Sequence, residues 1–419
     1  MPGAQGEVMW PRLVANKILR KRLAGSNNFV TDFPSNTESI PEIPSSDQPS
    51  LSAKTIFNQH KVFVSTWNVG GVAPHDHFSI EDLLDTCNTS CDIYVFGFQE
   101  IVPLSVSNVL GSENSKISMK WNSLIREVLN RKLGFSGNDG KSTESRIPQN
   151  FQCIVSKQMV GILISVWVRS HLRPFIRHSS VSCVGCGIMG CLGNKGAVSV
   201  RFLLHETSFC FVCSHLASGG REGDEKYRNS NVAEILSRTS FPKGLSLDLP
   251  PKILDHHRVI FLGDLNYRIS LPEPTTRLLA DREEWNALLE NDQLRMELMD
   301  GQVFQGWHEG IIKFAPTYKY YPNSDIYYGG VGKKGEKRRA PAWCDRIIWY
   351  GKGLKQHLYT RGEPKLSDHK PVKAIFTADV GVSQTFKGLQ SFFLSDRFEV
   401  EVSSSTDDFL CKGRSSFRF

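Results

Sequence analysis

No run of about eighteen apolar residues occurs in this 419-residue chain, so no membrane-spanning helix is expected. The opening stretch, MPGAQGEVMWPRLV, lacks the apolar core of a secretory signal. Cysteine is sparse for this length, ten residues in all, which is far from the density of a disulfide scaffold. These absences point to a reduced, cytoplasmic protein that is not secreted. No self-similarity recurs at the short periods of solenoids. Neither GxSxG nor GxxxxGK[ST] is present, so a nucleophile elbow and a Walker loop are both excluded. A second cysteine pair is also missing outside apolar sequence. Cys183 and Cys186 have C-x-x-C spacing, with Cys191 close by, but Cys210 and Cys213 fall inside SFCFVCSH. Buried small residues are the plainer reading beside a zinc site.

What is present is ordinary globular composition: 40% hydrophobic and 22% charged residues, with a formal net charge of +7. The positive balance favours anionic partners. Residues 1–54 read as an extension. PRLVANKILRKRL, within Gln5–Leu23, is a short basic helix candidate, suited to an anionic membrane surface, to an import signal or to packing on the domain. The Pro/Ser-rich stretch 34–50 reads as a linker. Residues 55–378 form the compact domain, and 379–419 a Ser-rich tail with one strand-like piece, RFEVEV.

Inside the domain, short apolar runs alternate with helical patterns. The runs include VFVSTW, DIYVFGF, VGILISVWVR, AVSVRFLL, SFCFVCS, RVIFLG, RIIWYG and KPVKAIF. Helical patterns include WNSLIREVLNRKL, KYRNSNVAEILSR and the long stretch 275–298. This mixture predicts sheets with helices packed on their faces. Several runs are apolar at every position, as in strands buried on both sides.

The strands stop at residues able to do chemistry. VFVSTW ends at Asn68, DIYVFGF at Gln99 and Glu100, FCFVCS at His215, and RVIFLG at Asp264 and Asn266. KPVKAIF is instead preceded by Asp368 and His369, which suits a strand running antiparallel to its neighbours. Ligands of layered α/β folds bind outside strand ends. Singly, each residue could be a turn or a solvated end; together they predict one rim. Glu100, Asp264, Asp368 and Asn68 make an oxygen-rich set suited to Mg²⁺, which takes few protein ligands and leaves positions for water and phosphate. His215 and His369 add donors for phosphate oxygens. GNKGAV offers backbone N–H groups and Lys195 to an anion. Metal-assisted hydrolysis of a phosphate ester follows, with an acceptor such as Asp264 orienting the water. A phosphocysteine route through Cys344 would need an anion-binding loop after the cysteine, and WCDR runs straight into a strand.

Two motifs then stand out, FLGDLNYRI (residues 261–269) and PAWCDRIIW (341–349). TWNVGG, FGFQEIVPL, GNKGAV, SHLASG, the Arg228–Asn229 pair, APTYKYY and SDHKPV accompany them in order. Over residues 61–377 the chain resembles the inositol polyphosphate 5-phosphatases, and WPRLVANKILRKRL resembles the type I enzymes of plants. The resemblance implies an α/β (α+β), DNase I-like four-layer sandwich of two packed mixed β-sheets flanked by helices. It implies Mg²⁺-dependent removal of the 5-phosphate from phosphoinositide lipids or soluble inositol phosphates. By the family pattern, Glu100 and Asn68 hold the metal, and Asp264 and Asn266 position the water. His369 and His215 contact the scissile phosphate, with Asp368 beside them. Asp345 orients His369, and Tyr318 and Lys319 grip a neighbouring 4-phosphate. Lys195 and Asn229 line the site. Arg346 is left between ion pairing and substrate contact. The basic loop 329–341 would meet further phosphates or an anionic bilayer. The chain departs from the pattern at Asn231, where the family often has an acid. An endonuclease on the same fold shares the Asn, Glu, Asp-x-Asn and Asp-His set, but PTYKYY and WCDRI belong to the inositol branch, so no nucleic-acid partner is expected. A lipid-binding module without catalysis is the other competing class.

Overall fold

The computed structural model describes residues 29–32, 55–75, 78, 80–84, 91–103, 115–131, 150–187, 193–243, 249–301, 303–329 and 339–383. The basic helix candidate, the linker, most of the basic loop and the tail beyond Ser383 lie outside the described residues.

Among the described residues, twelve strands form two mixed sheets. The first sheet has the order β11-β12-β1-β2-β4-β3. Its strands are β1 (Thr55–Asn68), β2 (Ile93–Gln99), β3 (Phe151–Met159), β4 (Ile162–Arg169), β11 (Leu354–Arg361) and β12 (Val372–Ser383). The second has the order β5-β6-β7-β8-β10-β9. It contains β5 (Ile176–Gly185), β6 (Gly196–Leu204), β7 (Thr207–His215), β8 (Arg258–Asp264), β9 (Trp307–Glu309) and β10 (Asp345–Tyr350). β1 pairs in parallel with β2, and β7 with β8; the other pairings are antiparallel. The helices are α1 (Glu81–Leu84), α2 (Ser115–Arg131), α3 (Glu225–Arg238), α4 (Glu273–Asp281), α5 (Trp285–Leu289) and α6 (Gln293–Asp300).

Side chains alternate across a strand, and that alternation divides the core into three. Val62 and Val64 of β1, Phe209, Phe211 and Cys213 of β7, Ile260 and Leu262 of β8 and Ile347 of β10 meet between the sheets. Phe63, Trp67, Phe96 and Phe98 face outward and pack on Trp121 and Ile125 of α2. Cys210, Val212, Val259, Phe261 and Ile348 pack on Val232 and Ile235 of α3 and Leu294 of α6. The expected four layers are therefore present. The sheets approach closely at Gly97, where an added Cβ would lie 2.7 Å from Leu262 Cδ1 and 2.8 Å from Cys213 Sγ.

Three details go beyond the sequence reading. The helical pattern over 275–298 is three helices, with Glu283 at φ 57° and Asp292 capping the third. β12 runs to Ser383 and pairs back to Thr55, past the expected close of the domain. Residues 29–32, read as part of an extension, pair with the edge of β3. Val30 and Ser156 exchange backbone hydrogen bonds of 2.9 and 2.8 Å, and Asp32 accepts from the Cys153 N–H at 2.8 Å. This pairing covers an edge that would otherwise invite another chain.

Candidate active site

Continuing the alternation to the strand ends carries Asn68, His215 and Asp264 to the rim of the inter-sheet space. Asp345, at the start of the antiparallel β10, faces the same space. His215 pairs with Asp264 on the last rung of β7 and β8, and Asp345 is opposite Asp264 on the other side. Gly263 is required just before the Asp: at φ 152°, an added Cβ would sit 2.0 Å from Ser214 O.

The sheets join at the rim through Asn68 Nδ2, which donates to Asp264 Oδ2 at 2.9 Å. Asn68 Oδ1 accepts from the Gly70 N–H at 3.0 Å. Asn266, at φ 59°, donates its backbone N–H to Asp264 Oδ1 at 3.1 Å. His215 Nε2 lies 3.2 Å from Asp264 Oδ2 and 2.5 Å from Lys195 Nζ. One ring nitrogen can accept from Lys195 or donate to Asp264, not both at once, so the His215 tautomer decides which of the two contacts is a hydrogen bond. Burial pushes the Asp264 carboxyl up, but the hydrogen bond and charge of His215, then His369 and Lys195, more than offset it; the net shift is downward. Burial lowers Lys195 to about 8 against the pull of Asp264 and Glu100. Burial, then Lys195, lowers His215.

Asp345 is fully buried, and its Oδ2 accepts from His369 Nδ1 at 2.8 Å and from Thr317 Oγ1 at 2.7 Å. Its Oδ1 has no hydrogen-bond partner among the described residues. Burial pushes His369 down, yet Asp345, followed by Asp264 and Asp368, raises it to about 9. Burial also pushes Asp345 up. Two donors converging on one oxygen favour the carboxylate form of Asp345, and that charge in turn favours the cationic form of His369. The APTYKYY segment reaches this site by bridging two others: Tyr318 pairs with both Ala342 and His369. The Tyr318 ring is 4.8 Å from that of His369. Lys319 forms an ion pair with Asp368, and Asp368 is held below its ordinary value by His369 and Lys319 against its burial. Asn229 supports the loop after β8, accepting from Tyr267 Oη at 2.6 Å. Asn231 accepts from the Ala217 N–H at 2.9 Å, so the unusual residue still ties down the SHLASG loop.

Glu100 has φ 53°, and its carboxylate sits 3.8 Å from His215 Nε2. Asp264, Asp345 and His369 bring their ligand atoms within 4.8 Å of one another, the one such metal-capable group among the described residues. Because His369 is engaged with Asp345 as a cation, the oxygen donors left to fit a hard divalent cation are the Asp264 and Glu100 carboxylates and the Asn68 amide.

One expected site residue is elsewhere. Arg346 follows Asp345, so it faces the helical layer instead of the rim. It is fully buried, donating to both oxygens of Asp292 at 2.9 Å and to Glu309 at 2.6 and 2.5 Å. Its open alternatives close on ion pairing. Cys344 is fully buried with its thiol pushed up by desolvation, and Trp343 Nε1 donates to Phe314 O at 2.9 Å; both are packing residues. The other described cysteines join no metal-capable group. Three contributors were missed. Arg268 donates to Asn266 Oδ1 at 2.5 Å and lies 4.3 Å above the Tyr318 ring. Thr317 holds Asp345, and Gln293 accepts from Arg268. Arg268 and Thr317 sit inside motifs already singled out; nothing in the sequence marked Gln293.

A family described as Endonuclease/Exonuclease/phosphatase family 2 matches residues 65–375. An Arabidopsis thaliana protein named Type IV inositol polyphosphate 5-phosphatase 9 is 66% identical, covering 94% of this chain and 97% of the relative. The chain belongs to the inositol polyphosphate 5-phosphatase family. A second Arabidopsis thaliana relative, named Type I inositol polyphosphate 5-phosphatase 8, is 45% identical over 88% of this chain and 86% of its own. A solved 5-phosphatase domain of SPsynaptojanin, in complex with inositol (1,4)-bisphosphate and calcium, superposes with a TM-score of 0.67. It is 32% identical and covers 78% of this chain and 87% of its own. Cimex nitrophorin shares the fold at a TM-score of 0.55 and 17% identity, over 77% and 99%. The fold alone therefore does not set the chemistry. Among the described residues, no helix is long and apolar enough to cross a membrane.

Proposed function

We propose that the chain hydrolyses the 5-phosphate of phosphoinositides or soluble inositol polyphosphates, with Mg²⁺ as its cofactor and water as the attacking group. The observation that carries this reading is the meeting of two sheets at the Asn68–Asp264 hydrogen bond, with Lys195, His215 and His369 around the carboxylate. Asp264 is kept ionised and accepts a proton from water. Asn266 orients that water. His369, kept cationic by Asp345, donates to a phosphate oxygen, and Lys195 adds a second positive charge. Tyr318 and Lys319 flank His369 and take the adjacent 4-phosphate. Glu100 and Asn68 would hold the metal. When bound, Mg²⁺ offsets charge on the phosphate oxygens.

The family membership supports a 5-phosphatase, and the inositol bisphosphate in the SPsynaptojanin domain supports an inositol ring in the site. The test is phosphate release, with and without Mg²⁺, from soluble and lipid inositol phosphates in pairs differing only at positions 4 and 5. Release confined to 5-phosphorylated members and abolished by chelation is expected. Equal release from members lacking the 5-phosphate, or nicking of supercoiled plasmid by the pure protein, would overturn the reading.

A further inference from the structure

Gln293 opens α6, on the side of the second sheet away from the inter-sheet core, yet it controls a side chain of the site. Its backbone N–H donates to Arg268 O at 2.9 Å. Its side-chain Oε1 accepts from the Arg268 N–H at 2.8 Å. The same oxygen accepts from the buried Arg228 at 2.7 Å. Both backbone polar groups of Arg268 are thus held by one residue. Gln293 is itself fixed by Asp292, which caps α6 through the Arg295 N–H at 2.9 Å and receives Arg346.

Arg268 uses that placement. Its guanidinium bonds Asn266 Oδ1 at 2.5 Å and covers Tyr318 at 4.3 Å, while its Nε is buried without a hydrogen-bond partner among the described residues. Arg268 also lines a cavity of about 560 Å³, in the company of Arg221, Glu222, Glu225, Glu297 and Asp300. Four carboxylates there attract a guanidinium outward. A fixed backbone adds to the Asn266 and Tyr318 contacts in keeping the cation out of the acidic cavity.

We propose that Gln293 is a positioning residue for the phosphatase reaction, clamping the Arg268 backbone so that the guanidinium faces Asn266 and Tyr318. This rests on the function proposed above. A Gln293→Met variant keeps the side-chain volume and loses the acceptor, whereas Gln293→Glu keeps it. Removing a buried acceptor from the charged Arg228 and from the Arg268 backbone N–H predicts a fall in kcat/KM of about tenfold or more for Gln293→Met. Gln293→Glu should recover most of that loss. In a double-mutant cycle, Gln293→Met should add little to Arg268→Ala, because both remove the same placement. A crystal structure of Gln293→Met should show the Arg268 guanidinium turned toward Glu222, Glu225, Glu297 or Asp300. Wild-type kcat/KM in Gln293→Met, fully additive losses, or an unmoved Arg268 would overturn the proposal. The crystallographic readout stands apart from turnover: a wild-type protein releasing no phosphate defeats the function reading, while the Arg268 position still decides this one.

Discussion

The first sheet carries its parallel pair, β1 beside β2, at its centre, and the second does the same with β7 beside β8. Each pair ends at the rim in polar residues, but the two ends differ. On the first sheet, Gln99 is turned into packing, donating to Thr66 Oγ1 at 3.1 Å, and Glu100 keeps 28% of its side-chain exposure. On the second, His215 and Asp264 are each 2% exposed and lie in a dense field of charges. Burial amplifies electrostatics, so the second sheet shifts its ionisable groups, whereas the first offers an accessible carboxylate beside an amide. The first sheet suits holding a cation; the second suits moving a proton. His369 and Asp345 cross this division, since one precedes β12 of the first sheet and the other opens β10 of the second.

The largest expected break comes at Asp264. Asp264→Asn keeps the volume and removes the proton acceptor, so kcat should fall by about 10²- to 10⁴-fold. Steady-state phosphate release measures it, and a loss under threefold would erase the contrast between the sheets. Next is Arg346, one residue from Asp345 but on the opposite face. Arg346→Met leaves Asp292 and Glu309 buried without their cation, at a cost of about 3–5 kcal/mol. Chemical denaturation should show that loss, while folded protein keeps the alkaline limb of its pH profile. A shifted limb with unchanged stability would place Arg346 in the chemistry after all.

That neighbouring pair also shows what the sequence could and could not say. The strand-end residues were legible because apolar runs stop where the sheets meet solvent; mixed strands and helices gave helix-covered sheets, while the four layers came with the family resemblance. Asp345 and Arg346 were not separable, because RIIW is apolar on both faces and gives alternation no inside or outside. The break at Asp292 was hidden for a similar reason. Asp292 caps α6 locally, but its burial is fixed by Arg346, 54 residues away, which no local pattern announces. Gln293 shares that blind spot. Residues 29–32 look like part of an extension until the β3 edge they cover is in view.

A smaller effect tests the crossing pair. Asp345→Asn removes the leading charge that raises His369. Burial then opposes only Asp264 and Asp368, and the histidine falls from about 9 toward its ordinary 6.5. The sign is fixed: a raised histidine contributes most below pH 6.5 and loses that contribution as pH climbs through about 9. The alkaline limb of kcat/KM should therefore move to lower pH in the variant. An unmoved limb would detach Asp345 from the protonation of His369.

The smallest effect expected is at Lys319, beside both sheets' contributions. Its ammonium is paired with Asp368 and lies 5.5 Å from the Tyr328 ring and 5.7 Å from that of Tyr318. That pairing keeps it extended at the rim next to His369, where a phosphate adjacent to the scissile one would arrive. An ammonium that adds a phosphate to its contact with Asp368 gains a single charged contact, about 1.5–3 kcal/mol. Lys319→Ala should reduce kcat/KM about ten- to a hundredfold for substrates with a 4-phosphate and much less for those without. Equal losses on both would mean that Lys319 serves Asp368 and the site's architecture, and that the 4-phosphate is read elsewhere on the rim.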